Sequence, residues 1–84
     1  MEDNRVALIG IIIEDKEEAA ALNAILHEYE QYIIGRMGIP YRVKNINIMS
    51  IVMDAPQDII SALSGKIGML KGVSSKVIYD KVRE

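Results

Sequence analysis

Cysteine, tryptophan and phenylalanine are all absent from this 84-residue sequence, and it contains a single histidine. Without cysteine the chain has no disulfide and no thiolate metal site, and one histidine excludes a polyhistidine site within one chain. A histidine-based catalytic triad lacks both a cysteine nucleophile and any evident serine and carboxylate arrangement. We therefore expect no catalytic residues, no cofactor and no enzymatic activity.

Long apolar runs and an excess of one charge are also missing. The longest apolar run, Val6–Ile13, has the length of a strand, whereas a membrane span needs about 20 such residues. The formal net charge is -2, which provides no general attraction to nucleic acid. The first residues, Met1–Asn4, lack the basic start of a signal peptide. These features predict a soluble cytoplasmic protein with no membrane partner and no direct nucleic-acid contact.

The chain is short for a domain that has to be stable alone. Its 84 residues predict one domain, residues 1–84, with a marginal core, because a small domain buries only a modest share of its surface. Disulfides, metals or partner chains are the usual remedies. Since composition excludes the first and gives no ligand set for the second, we expect self-association to supply the remaining stability.

Apolar periodicity predicts four strands and two helices. The strands are expected at Arg5–Ile13, Tyr32–Ile39, Ile46–Asp54 and Val73–Val82, and the helices at about Lys16–Glu28 and between Asp54 and Gly72. Residues that favour element ends lie at these boundaries: Asp15 as first helix cap, Asp54 and Pro56 at the second helix start, and Gly72 at its end. Pro40 either ends the second strand or marks it as an edge strand.

The order β-α-β-β-α-β is typical of an α+β ferredoxin-like domain with an antiparallel sheet in the order 4-1-3-2. The third strand fits a central position because it is apolar on both faces, with Ile46, Ile48 and Val52 opposite Met49, Ile51 and Met53. Both helices of this fold cover the same face. The other face then exposes apolar side chains, each worth roughly 1.5–3 kcal/mol when buried. We expect a homo-oligomer, either a dimer or a tetramer, that covers this patch.

The segment between the second and third strands is the strongest candidate for a functional site. It combines a permissive backbone, positive charge and one aromatic ring: Gly35, Arg36, Gly38, Tyr41 and Arg42. These residues predict a binding site for a small anionic effector at a junction between subunits. The alternative is a bent edge strand whose arginines lie in solvent or pair with Glu28 or Glu30 of a neighbouring subunit.

His27 and Glu30 form a weaker candidate, for a metal site. They are separated by three residues on a predicted helix, close enough to share a cation. Two ligands are too few for a metal site unless symmetry mates supply more. We therefore expect a solvated helix end here and no bound metal.

Five segments spread over nearly the whole chain form a recognisable pattern: Arg5–Ile12, Leu26–Tyr29, Tyr32–Arg42, Asp54–Pro56 and Ile59–Lys66. The block IIGRMGIPYR, residues 33–42, is the most specific of them. This pattern resembles the family of iron-only hydrogenase system regulators. The resemblance implies a transcriptional regulator associated with maturation of iron-only hydrogenase.

A second resemblance rests on His27-Glu28, the strand pair and Leu70–Val73, which are similar to the C-terminal domain of the nickel-responsive repressor. That domain is an ACT-like fold that forms tetramers. The repressor binds nickel with histidines and a cysteine around its second and third strands, whereas the matching stretch from Arg36 onward has neither. Its DNA-binding ribbon-helix-helix precedes the domain, whereas this chain starts with the first strand. We expect neither nickel nor DNA binding to carry over.

Together these features predict an oligomeric, effector-sensing regulatory domain without a DNA-binding motif of its own. One alternative is a structural or interaction module that binds a maturation enzyme or another regulator through its sheet edges or hairpin. Another is a small enzyme of ferredoxin-like fold, for which the sequence shows no convergent acid, base or nucleophile.

Overall fold

The computed structural model describes residues 4–81. Its elements are β1 (Asn4–Ile13), a 3-10 turn (Lys16–Glu18), α1 (Ala19–Glu28), a second 3-10 turn (Glu30–Tyr32), β2 (Ile33–Tyr41), β3 (Ile46–Pro56), α2 (Gln57–Gly68) and β4 (Val73–Tyr79). The four strands form one antiparallel sheet in the order β2-β3-β1-β4. This confirms the predicted α+β ferredoxin-like topology. The last strand is shorter than predicted: β4 ends at Tyr79, and Asp80 and Lys81 lie outside it. The predicted end, Val82, lies outside the described residues, as do Met1–Asp3.

The two central strands bury one face of the sheet beneath the helices. In β1 every second residue points into the core, from Ala7 to Ile13. In β3 the inward residues include Ile51, Met53 and Ala55, all fully buried. This period of two is the geometry of a strand with one buried face. It places Met49 and Ile51 on the helix side of the sheet.

Each helix contributes a narrow apolar stripe to that same core. Leu22 and Leu26 of α1 are fully buried, and α2 adds three residues at helical spacing: Ile60, Leu63 and Ile67. Asp15 confirms its predicted role as a cap, because its side chain accepts a hydrogen bond of 3.0 Å from the Glu17 backbone N–H. The cap begins a 3-10 turn, and α1 itself starts at Ala19.

Two predicted boundaries next to prolines differ from the structure. Pro40 does not end β2, which continues to Tyr41, but it does lie in an edge strand, the second of the two roles predicted for it. An edge strand tolerates a residue without an N–H on its outer side. Asp54 does not cap α2. It pairs with Val6 in the sheet, and β3 continues to Pro56, which precedes the helix with no side-chain cap.

Gly72 closes the connection between α2 and β4 in a backbone conformation that favours glycine. Its φ is 68°, and a Cβ built there would lie 2.6 Å from Cβ of Asp15. Its carbonyl oxygen accepts a hydrogen bond of 2.7 Å from the Glu14 N–H. The turn after α2 is therefore hydrogen-bonded to the turn before α1.

We predict that Gly72→Ala lowers the free energy of unfolding by roughly 1–3 kcal/mol, through backbone strain and the contact with Asp15. Gly65→Ala is the matched control, because Gly65 lies within α2 with open space around it. That change is expected to stabilise the protein by up to about 1 kcal/mol. Urea unfolding of both variants measures the difference, and equal stability of the two would refute the assignment.

Candidate functional site

A β-bulge near the start of β2 decides which side chains of this strand face the helices. Ile33 pairs with Met53 and Gly35 pairs with Val52, so Ile34 is an extra residue in the ladder. A bulge of this kind reverses the alternation that follows it. As a result Arg36, which pairs with the buried Ile51, lies on the helix side.

The Arg36 side chain reaches α1. Its Nη2 donates a hydrogen bond of 2.9 Å to Oδ1 of Asn23, and both residues are exposed. Within residues 4–81, Asn23 is its only side-chain hydrogen-bond partner, and no carboxylate lies within salt-bridge distance. Because a guanidinium has five N–H donors, most of its donor capacity is open to another group.

Beside this pair lies a cleft of about 280 Å³ between α1 and the hairpin of β2 and β3. We call it the Arg36 cleft, and its main lining residues are Ile13, Leu22, Asn23, Arg36, Gly38 and Asn47. Gly38 lies on the cleft side because it pairs with Met49. A Cβ at this position would meet only the Met49 side chain, at 3.9 Å, so its absence keeps the cleft open.

The structure brings together only part of the predicted binding set. Arg36 and Gly38 line the cleft, whereas Gly35 and Tyr41 pair with Val52 and Ile46 on the opposite side of the sheet. Arg42 lies in the hairpin turn, six residues beyond Arg36 and thus roughly 20 Å along the strand. One anion therefore does not contact both arginines of the same chain.

Sequence reasoning missed Asn23 and Asn47 as members of this site. The side chain of Asn47 faces the cleft because Asn47 pairs with Ile13 of β1. Asn23 gave one weak signal, since asparagine is a poor helix former and lies in the middle of α1. The bulge at Ile34 gave none, because strict alternation from Ile33 places Arg36 on the other face.

The predicted contact between His27 and Glu30 at the end of α1 is formed, but it involves only these two side chains. His27 Nδ1 lies 3.1 Å from Glu30 Oε1, and both side chains are largely exposed. In the part of the chain that the structure describes, no group of three or more His, Asp or Glu side chains comes together to hold a metal ion. The pair thus offers two ligands from each chain.

Two other charged groups join elements of the fold. Lys66 of α2 donates a 3.0 Å hydrogen bond to Glu28 of α1 and lies over the Tyr29 ring, and the Glu28 bond raises the pKa of this exposed lysine. Arg5 pairs with Asp80 at 3.0 Å and stacks on Tyr79. Both cations are paired with a carboxylate, whereas Arg36 is hydrogen-bonded to the neutral amide of Asn23.

The side of the sheet away from the helices carries the second candidate surface. We call it the open sheet face, and its residues are Val6, Leu8, Gly10 and Ile12 of β1, Ile46, Ile48, Ser50, Val52 and Asp54 of β3, Met37, Ile39 and Tyr41 of β2, and Lys76 and Ile78 of β4. Ile48, Leu8 and Ile12 of the central strands are 36%, 39% and 41% exposed. Such values are high for large aliphatic side chains in the middle of a sheet.

Comparison with known proteins identifies the family of this chain. The sequence model of a family described as "TM1266-like: Iron-only hydrogenase system regulator, putative" matches residues 5–77. The chain belongs to this family. The uncharacterised protein TM1266 from Thermotoga maritima has a similar structure, with a TM-score of 0.89 and 36% sequence identity over 94% of this chain and 100% of that one. No curated protein gives a significant match.

A more distant similarity to a solved structure concerns only the fold. A formyltetrahydrofolate deformylase from Pseudomonas putida KT2440 has a TM-score of 0.62 at 9% identity, over 86% of this chain and 28% of that one. The shared ferredoxin-like topology does not carry an activity across at this identity. The likeness to the nickel-responsive repressor stays a prediction from the sequence.

We predict that this family member purifies without stoichiometric nickel, zinc or iron, because His27 and Glu30 supply too few ligands. Elemental analysis after extensive dialysis measures the metal content. Gln31→Ala is the matched control for His27→Ala. A stoichiometric metal that is lost in His27→Ala and retained in Gln31→Ala would contradict this prediction and indicate a site shared between subunits.

Proposed function

We propose that the chain is a non-enzymatic, effector-sensing domain that regulates transcription of the iron-only hydrogenase system as a homo-oligomer, without a DNA-binding motif of its own. The observation that carries this proposal is the open sheet face. Membership of the regulator family supplies the biological system. The oligomer, the effector and the indirect action on DNA are parts of the proposal.

The open sheet face has ridges and a groove of the kind found where two sheets pack together. Two rows of large apolar side chains run across the sheet. One row consists of Ile39, Ile48 and Ile12, and the other of Val52 and Leu8. The small residues Ser50 and Gly10 lie between the two rows. Small residues between two apolar ridges leave a groove, which is lined in part by Gly10, Ser50 and Ile12. Ridges and grooves of this size allow side chains of a second sheet to interdigitate.

The area of this face is large enough for a stable interface. Four strands about 4.8 Å apart, followed over about eight residues at about 3.4 Å each, span roughly 19 by 27 Å, or about 500 Å² in projection. Two such faces in contact hide about 1,000 Å² in projection, which is the lower bound for a specific interface. Patches on monomers seldom exceed a few hundred Å².

We assign this face to a second copy of the chain. The face carries two charged side chains of opposite sign, Lys76 on the edge strand and Asp54 beside Val6, so no charge pattern selects an acidic or basic partner. Sheets that stack in this way supply the apolar burial that an 84-residue chain lacks. A second copy is also present wherever the first is made.

The alternative is an interaction module that binds a maturation enzyme or another regulator. The exposed tip of the hairpin favours it, because Val43 there is 82% exposed and lies in a turn with Arg42 and Lys44. A single valine flanked by basic residues is a modest contact surface. A chain that binds a maturation enzyme leaves transcription unchanged, whereas one that binds another regulator alters transcription only through that partner.

We predict that the wild-type protein is a dimer or a larger oligomer at micromolar concentration, and that Leu8→Lys shifts it toward the monomer. The buried lysine would lose its hydration at the interface, which is costly without a partner. Light scattering after size exclusion measures the mass. Ala62→Lys, an exposed position of α2, is the matched charge control.

A monomeric wild-type protein at that concentration would refute the assembly. Circular dichroism separates loss of assembly from loss of folding in Leu8→Lys. The wild type also gives an independent readout, since the melting temperature of an oligomer rises with protein concentration. A melting temperature that does not change over the accessible range of concentration would argue against the oligomer as well.

Transcription in the native host distinguishes regulation from the alternative. Deleting the gene is expected to change the transcript levels of hydrogenase or maturation genes, and Ala62→Lys but not Leu8→Lys is expected to restore them. Unchanged transcripts with altered hydrogenase activity would favour the interaction module.

We predict that the isolated chain shows no nanomolar binding to duplex DNA at physiological salt. Its net charge of -2 opposes the phosphate backbone. Non-specific contacts through Arg42 and Lys44 of clustered hairpins would give at most a Kd of about 10⁻⁴–10⁻⁶ M. A mobility shift at nanomolar protein that disappears in Arg42→Gln would show that the oligomer itself reads DNA.

A further inference from the structure

We infer that the Arg36 cleft is the effector site and that its ligand is a small organic monocarboxylate with an apolar body. This inference rests on the proposed role of the chain as an effector-sensing regulator. It replaces the predicted five-residue site by a smaller one, in which Arg36 is the anchor and Tyr41 and Arg42 have no part.

The charge of the ligand follows from Arg36. A guanidinium offers parallel N–H donors that match the two oxygens of a carboxylate. Asn23 occupies one donor nitrogen through a neutral hydrogen bond of 2.9 Å and fixes the side chain over the cleft without neutralising it. Arg36 is the only charged residue that lines the cleft within residues 4–81. One positive charge suits a monoanion better than a doubly charged phosphate.

The rest of the ligand is determined by the walls. Ala19, Pro40 and Met49 form apolar walls above the buried Ile13 and Leu22. Gly38 leaves space where any other residue would place a side chain. The volume of about 280 Å³ lies just below the usual range of ligand pockets, roughly 300–1,000 Å³. The cleft therefore suits a small ligand such as a branched aliphatic acid.

Asn47 adds a polar group at the other end of the cleft. Its side chain makes no hydrogen bond to another residue among those described, and it is half-buried. An amide there can bind a hydroxyl, keto or amino substituent of the acid. A polar group at each end of a cleft with apolar walls fixes the orientation of a bound ligand, which is the usual arrangement in small-molecule sites.

The test uses 4-methylpentanoate as probe, measured on the full chain by isothermal titration and by thermal shift. Its neutral amide, 4-methylpentanamide, has the same shape, and inorganic phosphate tests for general anion binding. We expect saturable binding of the carboxylate with a higher melting temperature, and little or no binding of the amide and of phosphate. Absence of saturable carboxylate binding at a Kd of about 1 mM or below overturns the inference.

Variants locate the site. Arg36→Gln is expected to weaken carboxylate binding about 10- to 100-fold, the usual effect of removing a charged hydrogen-bond partner. Arg42→Gln makes the same charge change in the same segment outside the cleft and is expected to bind like the wild type. Gly38→Ile keeps Arg36 but fills the cleft, and is expected to abolish binding. Equal binding by Arg36→Gln and the wild type, or equal loss in Arg42→Gln, overturns the assignment.

Mass measurements on the same samples keep this inference separate from the proposed function. If Arg36→Gln loses binding but remains oligomeric, both stand. If no probe binds while the wild type is oligomeric and the hydrogenase transcripts respond to its deletion, the site is wrong and the regulatory role stands. If the wild type binds the carboxylate as a monomer, the site stands and the proposed assembly is wrong.

Discussion

A four-stranded sheet with both helices on one side has to leave its other side uncovered, and the rest of this structure depends on that constraint. The helix side is filled by fully buried residues such as Ile9, Ile51 and Met53. The same two central strands carry Leu8 and Ile48 on the other side, where they are partly exposed. Because these side chains are already more than half buried, covering the remainder would stabilise the protein by roughly 0.5–1 kcal/mol for each. Summed over the apolar side chains of the open sheet face this is a few kcal/mol, a large fraction of what a small domain has in total.

The constraint also explains why the irregular features gather in β2. As an edge strand it has one neighbour, so it accommodates the extra residue Ile34 and the missing N–H of Pro40 without loss of a second ladder. The same irregularity turns Arg36 toward α1. A central strand such as β3 has two ladders to maintain, and it runs regularly over its full length.

Much of this architecture could be predicted from sequence because a period of two is a strong signal in central strands. The predicted faces of β3 agree with the structure. One face carries Ile46, Ile48 and Val52, and the other carries Met49, Ile51 and Met53. The sequence leaves two roles open for Pro40, the end of a strand or an edge, and only the sheet order decides between them. Asp54 is misassigned as a helix cap because its own residue type does not show that β1 pairs with β3 as far as Pro56.

The candidate site was harder to predict because it depends on register and on contacts between distant segments. The block around Arg36 was recognised as polar and permissive, but which of its residues share a face is set by a bulge that no residue type announces. Asn23 and Asn47 join the site through the packing of α1 on the sheet and the pairing of β3 with β1. Local sequence contains neither piece of information.

The cleft and the open sheet face are not independent surfaces, because β2 and β3 form part of both. Asn47 and Met49 face the cleft, while Ile48 between them faces away from the helices, and Gly38 and Ile39 are divided in the same way. An effector regulates an assembly only if it binds two states with different affinity. Any change in the twist or spacing of this hairpin that improves contact with a ligand also moves Ile39 and Ile48. The hairpin is therefore the element through which binding in the cleft and packing of the face would be coupled.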